Sequence, residues 1–277
     1  MPLESDIKKM KIQGASSIAL ASLMCLRNFS SRNGFGKAFD EKARKLEAAR
    51  PTAVVLHNAL EALMKSKSSE TIDRLIARIE MHRMRIAFHG SCLIRSKFQV
   101  HTHCHSSDVM EIIKEAARKK KFTVVVDETR PRYQGLLTAN ELSKISGINI
   151  ILITDSSAGL FASGILGKKD DIIIVGCDAL RREGVVNKVG TYMLALAAKD
   201  NGIPFYVAAS SIKIDARKKI EIEMRPSSEI FAKKIRGISV LNPAFDITPW
   251  SLVSGVITES GVKKSTEIMK MIGEKRI

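Results

Sequence analysis

Side chains able to trade a proton with a bound molecule stand at the abrupt ends of two apolar runs. Asp178 follows the run 172–175 through Gly176-Cys177, and Cys104-His105 follows the run 98–102. Open parallel sheets bind ligands beyond the carboxyl ends of their strands, so a thiol and a carboxylate at such ends can face one crevice. After Asp178, Asn187-Lys188-Val189-Gly190-Thr191 opens a helical segment. An ammonium, a side-chain amide and the free N–H groups of a helix start are all suited to phosphate. A carboxylate near a helix start also serves as a plain cap, and that alternative stays open.

Cys104 just ahead of a helix would feel the positive helix end and nearby basic residues, which lowers a thiol's pKa and makes it reactive. A buried, inert cysteine is the alternative. His105 can give a proton or hold a phosphate oxygen, and Ser106-Ser107 add donors. His101, His103 and His105 with Cys104 raise the thought of zinc. In a strand, however, alternate histidines point the same way along one edge, and the chain has no second ligand pair at zinc-site spacing. No metal and no organic cofactor is expected.

The elements that must hold these groups follow from hydrophobic spacing. Segments 16–26, 52–64 and 71–84 carry apolar residues at helical intervals, with a turn-rich break at 31–36 and Pro51 in a first helical turn. From residue 98 short strands alternate with helices: strands at 98–102, 122–126, 149–154, 172–175, 205–208 and 255–258, helices at 107–118, 138–146 and 189–200. Such alternation implies right-handed crossovers and a mostly parallel sheet. The fold class is therefore α/β, a helical N-terminal domain over 1–92 followed by a Rossmann-like, mostly parallel β-sheet domain over 93–277.

The chain has 277 residues and carries 45 Lys and Arg against 29 Asp and Glu, a formal charge of +16. That surplus can attract RNA or steer a polyanionic small molecule. Its clusters, Arg118-Lys119-Lys120-Lys121 and Arg217-Lys218-Lys219, are not interleaved with aromatics, which favours a solvated surface over a stacking platform. The apolar runs are too short to cross a bilayer, residues 1–11 are too charged for a leader, and the four cysteines form no framework. A cytoplasmic protein with reduced thiols and no membrane partner is expected. In Asp127-Glu128-Thr129-Arg130-Pro131-Arg132 the two arginines can clamp a phosphate, or Glu128 can pair with one of them. Asp155 reads as a cap for the helix after it, and 242–250 as a rigid turn set whose Phe245 and Trp250 pack in the core or at an interface.

The blocks THCHSS, DETRPRYQG, VGCDALRREGVVNKVGTY, GIPFYVAAS and NPAFDITPW, in this order, resemble the family that unites translation initiation factor 2B regulatory subunits with two sugar-phosphate isomerases. The resemblance implies Cys104 and Asp178 as the acid–base pair, and substrate contacts at Gly14, Ala15, Arg50, Asn187 and Lys188, with His105 beside them. It also implies at least a dimer, with a nucleotide effector as a further candidate partner. Where the isomerases usually have Arg-Gly-Ala, this chain has Gln13-Gly14-Ala15. The reading is an aldose–ketose isomerase acting on a ribose phosphate, ribose 1,5-bisphosphate first. The alternative is a non-catalytic regulatory subunit that binds translation initiation factor 2, and a methylthioribose-1-phosphate isomerase ranks third.

Overall fold

The computed structural model describes residues 2–161, 163–166, 171–218, 222–233 and 236–275, so Lys219 of the second basic cluster lies outside the described residues. Five helices come first: α1 (Leu3–Lys8), α2 (Ala15–Asn33), α3 (Lys37–Ala49), α4 (Val54–Lys65) and α5 (Ser69–Ser91). Helix α3 was not expected. Their apolar faces close over Ile18, Leu23, Leu26, Leu46, Leu56 and Leu63, each buried and worth about 1.5–3 kcal/mol when removed from water. Ser68 caps α5 by accepting a hydrogen bond from the Thr71 N–H. The 23-residue α5, about 35 Å long at 1.5 Å per residue, serves two cores. Ile72 and Ile79 pack among the helices, whereas Ile86 packs with the sheet.

The sheet that follows has seven strands: β1 (Gln99–Thr102), β2 (Phe122–Asp127), β3 (Ile148–Ile153), β4 (Asp171–Val175), β7 (Phe205–Ala208), β9 (Gly255–Thr258) and β10 (Gly261–Lys263). Their order is β10-β9-β7-β4-β1-β2-β3, parallel throughout except for the β9–β10 hairpin. The apolar runs of β2 and β4 are buried almost throughout, as strands covered on both faces by helices must be. Covering them are α6 (Ser107–Ala117), α7 (Gln134–Leu142), α8 (Thr191–Asp200) and α9 (Ser265–Glu274). The chain runs from β1 outward through β2 to β3, and from β4 outward the other way through β7 to β9. β1 and β4 are thus adjacent, parallel strands at the topological switch point.

Three departures from the sequence-based expectations matter. Helix α7 starts four residues earlier than 138, behind Tyr133 in left-handed backbone. A second, three-stranded antiparallel sheet, β5 (Ala179–Arg181), β6 (Gly184–Lys188) and β8 (Phe245–Thr248), replaces the turns expected around 187 and 242–250. Asn187 and Lys188 are therefore strand residues, paired with Asp246 and Phe245.

Candidate active site

Cys104 lies just past β1 and Asp178 just past β4, so the switch point brings the two expected acid–base groups to one cleft. A cavity of about 60 Å³ is lined by both, together with Gly14, Ala15, Arg50, His105, Asn187 and Lys188. All eight site residues read from the sequence therefore share one wall. A neighbouring chamber of about 280 Å³ shares Asp178 and Phe245 with it.

Cys104 has φ 68°, left-handed backbone that costs a non-glycine residue about 1–3 kcal/mol. Two bonds hold it there: its N–H donates to Thr129 Oγ1 at 2.9 Å, and its carbonyl accepts from Thr138 Oγ1 at 3.0 Å. Burial raises the thiol pKa to about 11, outweighing the pull of Lys188 and of the His105 N–H. The expectation of a lowered pKa is thus corrected, because desolvation exceeds the helix and lysine fields. A thiol that stays protonated at neutral pH is a poor nucleophile and still has a proton to give. Asp178 also titrates above its usual range, through burial first, against Arg50, Lys213 and Lys188.

The cations differ in how they are engaged. Arg50 donates to the Met10 sulfur and lies 3.6 Å from Glu223. Lys213, which sequence reasoning missed, is buried on the same wall and bonds Asp108 Oδ2 at 2.7 Å. Burial works against its ammonium, but Asp108 first and Asp178 after it keep it charged. Its only sequence signal was a lysine five residues past a buried strand end. Lys188 has no side-chain ion pair among the described residues; its Nζ stands 5.6 Å from the Phe245 ring centre. Helix α2 adds its positive end, with Gly14 at φ 84° as N-cap and no acid in its first turn.

The start of α8 does not serve as expected. Asp246 accepts from Gly190 N–H at 2.7 Å and from Tyr192 N–H at 3.2 Å, so these amides are already taken by a carboxylate. His105 lines the cleft, but its Nδ1 is 2.9 Å from Thr138 Oγ1, and burial holds its pKa below the usual value. Asp155 accepts from the Thr129 and Arg130 N–H groups instead of capping its own turn. Arg132 pairs with Glu229 at 2.9 Å, and Arg130 donates to Tyr133 and the Ile230 carbonyl, so both arginines have protein partners other than Glu128. Trp250 donates to the Arg181 carbonyl at 2.9 Å, while Phe245 walls the cleft. The cluster Arg118-Lys119-Lys120-Lys121 lines a groove at the opposite, amino-terminal edge of the sheet.

The three histidines are not simply spaced along one edge: His101 and His103 converge on one carboxylate, with Asp127 2.8 Å from each, whereas His105 turns to Thr138. His103, Asp127 and Asp155 bring ligand-type atoms within 4.8 Å of one another. Those atoms are engaged with each other and with backbone N–H groups, which is a hydrogen-bond network rather than a set of open ligands.

No helix among the described residues is long and apolar enough to cross a membrane. The Initiation factor 2 subunit family matches residues 11–265. A ribose 1,5-bisphosphate isomerase from Haloferax volcanii is 34% identical, over 93% of this chain and 86% of the relative. A putative translation initiation factor eIF-2B subunit 2-like protein of Pyrococcus horikoshii is also 34% identical, over 93% of each. The crystal structure of the Pyrococcus horikoshii translation initiation factor eIF-2B superposes with TM-score 0.82 at 32% identity, covering 96% of this chain and 97% of that one.

Proposed function

The chain belongs to the initiation factor 2 subunit family, and on that premise we propose that it is an aldose–ketose isomerase converting ribose 1,5-bisphosphate to ribulose 1,5-bisphosphate. One observation carries the reading: a protonated thiol and a carboxylate of raised pKa line one cleft with Lys188, Lys213, Arg50 and the positive end of α2. A non-catalytic pocket has no need to desolvate both an acid and a base.

A phosphate on C1 blocks spontaneous opening of the sugar ring, so the protein must open it. Cys104 gives its proton to the ring oxygen as the bond from that oxygen to C1 breaks. The hydrogen on C2 then moves with its electron pair, as hydride, to the electron-poor C1 while Asp178 takes the proton of the 2-hydroxyl, leaving a ketone at C2. Protons balance: one is given by the thiol and one is taken by the carboxylate. Lys188 and the α2 amides hold one phosphate, and Arg50, Asn187 and His105 fix the ring. Small-molecule sites usually span about 300–1,000 Å³, so the 60 Å³ cleft has to join its 280 Å³ neighbour around Asp178 and Phe245. In this reading α1–α4 with the first turns of α5 form a cap that opens for substrate and closes to exclude water, while the end of α5 stays packed on the sheet. The edge strand β3 exposes Ile151 and Leu152, and α7 beside it exposes Leu136 and Leu137, which supports a homo-oligomer formed through that edge.

Turnover of ribose 1,5-bisphosphate, with and without AMP, by the wild type, Cys104→Ser and Asp178→Asn tests the reading. Ribulose 1,5-bisphosphate formed only by the wild type supports it. Gln13 and the initiation-factor names of the Pyrococcus relatives favour a second reading, a binding subunit. Folded protein inert on this substrate and on methylthioribose 1-phosphate selects that second reading.

A further inference from the structure

We propose that His103 is held as an imidazolium and acts as the positioning residue that locks the turn carrying Asn187 and Lys188 against the strand end carrying Cys104. The inference rests on the isomerase reading for its kinetic consequence, but not for the charge itself.

Buried His103 has an acceptor at each ring nitrogen: Asp127 Oδ2 lies 2.8 Å from Nδ1, and the Val189 carbonyl oxygen 3.0 Å from Nε2. A neutral imidazole donates through one nitrogen only, whereas the cation donates through both. With His103 neutral, a lone pair would face either a carboxylate or a carbonyl at hydrogen-bond distance.

The neighbouring histidine fits this placement of protons. His101 Nε2 lies 2.8 Å from Asp127 Oδ1, and its buried Nδ1 has no partner among the described residues. A neutral His101 that donates through Nε2 leaves only an acceptor unmatched, while a charged His101 would strand a buried N–H. Asp127 therefore carries one negative charge between a neutral and a charged ring. Burial opposes its ionised form, yet the positive charge between the two rings and a hydrogen bond from each histidine hold its pKa below the usual range.

Charged groups face His103 from three elements, Asp127 from β2, Asp155 after β3 and Asp246 from β8, and its chain neighbour His101 shares Asp127 with it. The three are carboxylates. Burial alone would depress the His103 pKa, but Asp127, the Val189 carbonyl and Asp155 raise it above 6.5. Contact is tight as well, since a Cβ on Gly190 would sit 3.0 Å from His103 Cε1. Lys188, next to Val189 in the chain, is thus anchored by a charged hydrogen bond one residue away.

The test has a spectroscopic and a kinetic arm, both on the full chain. In ¹⁵N-histidine NMR, the signals lost in His103→Gln should show two protonated ring nitrogens at pH 7 and titrate above 6.5. In Asp127→Asn, which keeps the shape but removes the anion, those signals should show a neutral ring at pH 7. A wild-type His103 with one bare nitrogen at pH 7 overturns the proposal, whatever the enzyme does. Kinetically, His103→Gln should raise KM for ribose 1,5-bisphosphate about tenfold and lower kcat less. The rise of wild-type KM with pH, as His103 loses its proton, should vanish in that variant. A charged His103 with unchanged KM in His103→Gln also overturns the positioning role. Should the wild type not turn over, the isomerase reading falls, and calorimetric titration with inorganic phosphate then decides the positioning role. Weaker binding by His103→Gln upholds it, and equal binding rejects it.

Discussion

Lys213 and Asp108, 105 residues apart in the chain, meet as a buried ion pair with Nζ 2.7 Å from Oδ2. The pair joins the turn after β7 to the first turn of α6, two elements that wall the same cleft. Removing one partner of such a pair leaves an uncompensated buried charge, which costs about 3–5 kcal/mol, whereas replacing both by apolar groups is often neutral. Asp108→Ala should therefore lose about 3–5 kcal/mol in urea unfolding, and Lys213→Met combined with Asp108→Leu should regain most of it. Equal losses in the single and double variants would mean that packing, not charge, dominates there.

Cys104 should behave as an acid across the neutral range. With its pKa at about 11, less than one thiol in a thousand is ionised at pH 7. Iodoacetamide at pH 7 should label exposed Cys92 and leave Cys104 intact. The thiolate absorbance missing from Cys104→Ser should emerge only near pH 11. Rapid labelling of Cys104 at neutral pH would contradict both the burial argument and the acid role.

Asp178 links activity to stability in the opposite sense. Its folded pKa is raised, so the folded state holds this proton more tightly than the unfolded chain does. Stability then falls as pH rises from the ordinary value of 3.8 through the folded value, and the full penalty persists above it. Asp178→Asn cannot ionise and escapes the penalty. It should melt higher than the wild type at pH 8, show no advantage at pH 3, and have no isomerase activity. An advantage independent of pH would show that the carboxylate is not strained by its burial.

How much of this was readable in the chain varies with the range of the interactions. Strands β2, β4 and β7 showed through because their side chains are buried on both faces and the apolar runs are nearly continuous. That Cys104 and Asp178 stand at strand carboxyl ends was readable too, whereas the adjacency of β1 and β4, which makes the switch point, came only with the structure. The small sheet stayed hidden because its strands β5 and β6 are three and five residues long, end in Arg181 and Lys188, and enclose a charged Arg182-Glu183 turn. Helix α7 was placed too late because its start is a left-handed Tyr133 followed by Gln134-Gly135, which carries no capping side chain. At Cys104 the sign of the pKa shift was wrong, since local sequence displays nearby charges but not desolvation. Lys213, the Asp246 cap and the His103 network depend on partners 105, 56 and 24 residues away, and spacing carries no trace of them.

Gln13 is the position where one side chain most directly limits phosphate binding. It lines the cleft beside the start of α2, and its Nε2 donates to the Met10 carbonyl at 3.0 Å, so its amide is turned to the backbone. Gln13→Arg puts a guanidinium fork where the isomerases of the resembled family carry one, and a neutral amide cannot match that fork for an oxyanion. A charge-assisted hydrogen bond contributes about 1.5–3 kcal/mol, so KM for ribose 1,5-bisphosphate should fall about tenfold or more. The cation also sits near the positive end of α2, which costs about 0.3–1 kcal/mol, so the variant should melt slightly lower. Its gain in KM should shrink as salt screens the new charge. Gln13→Ala, which removes the amide without adding charge, should show no gain. A KM unchanged in Gln13→Arg would place both phosphates away from the start of α2 and leave Lys188 and Lys213 to hold them.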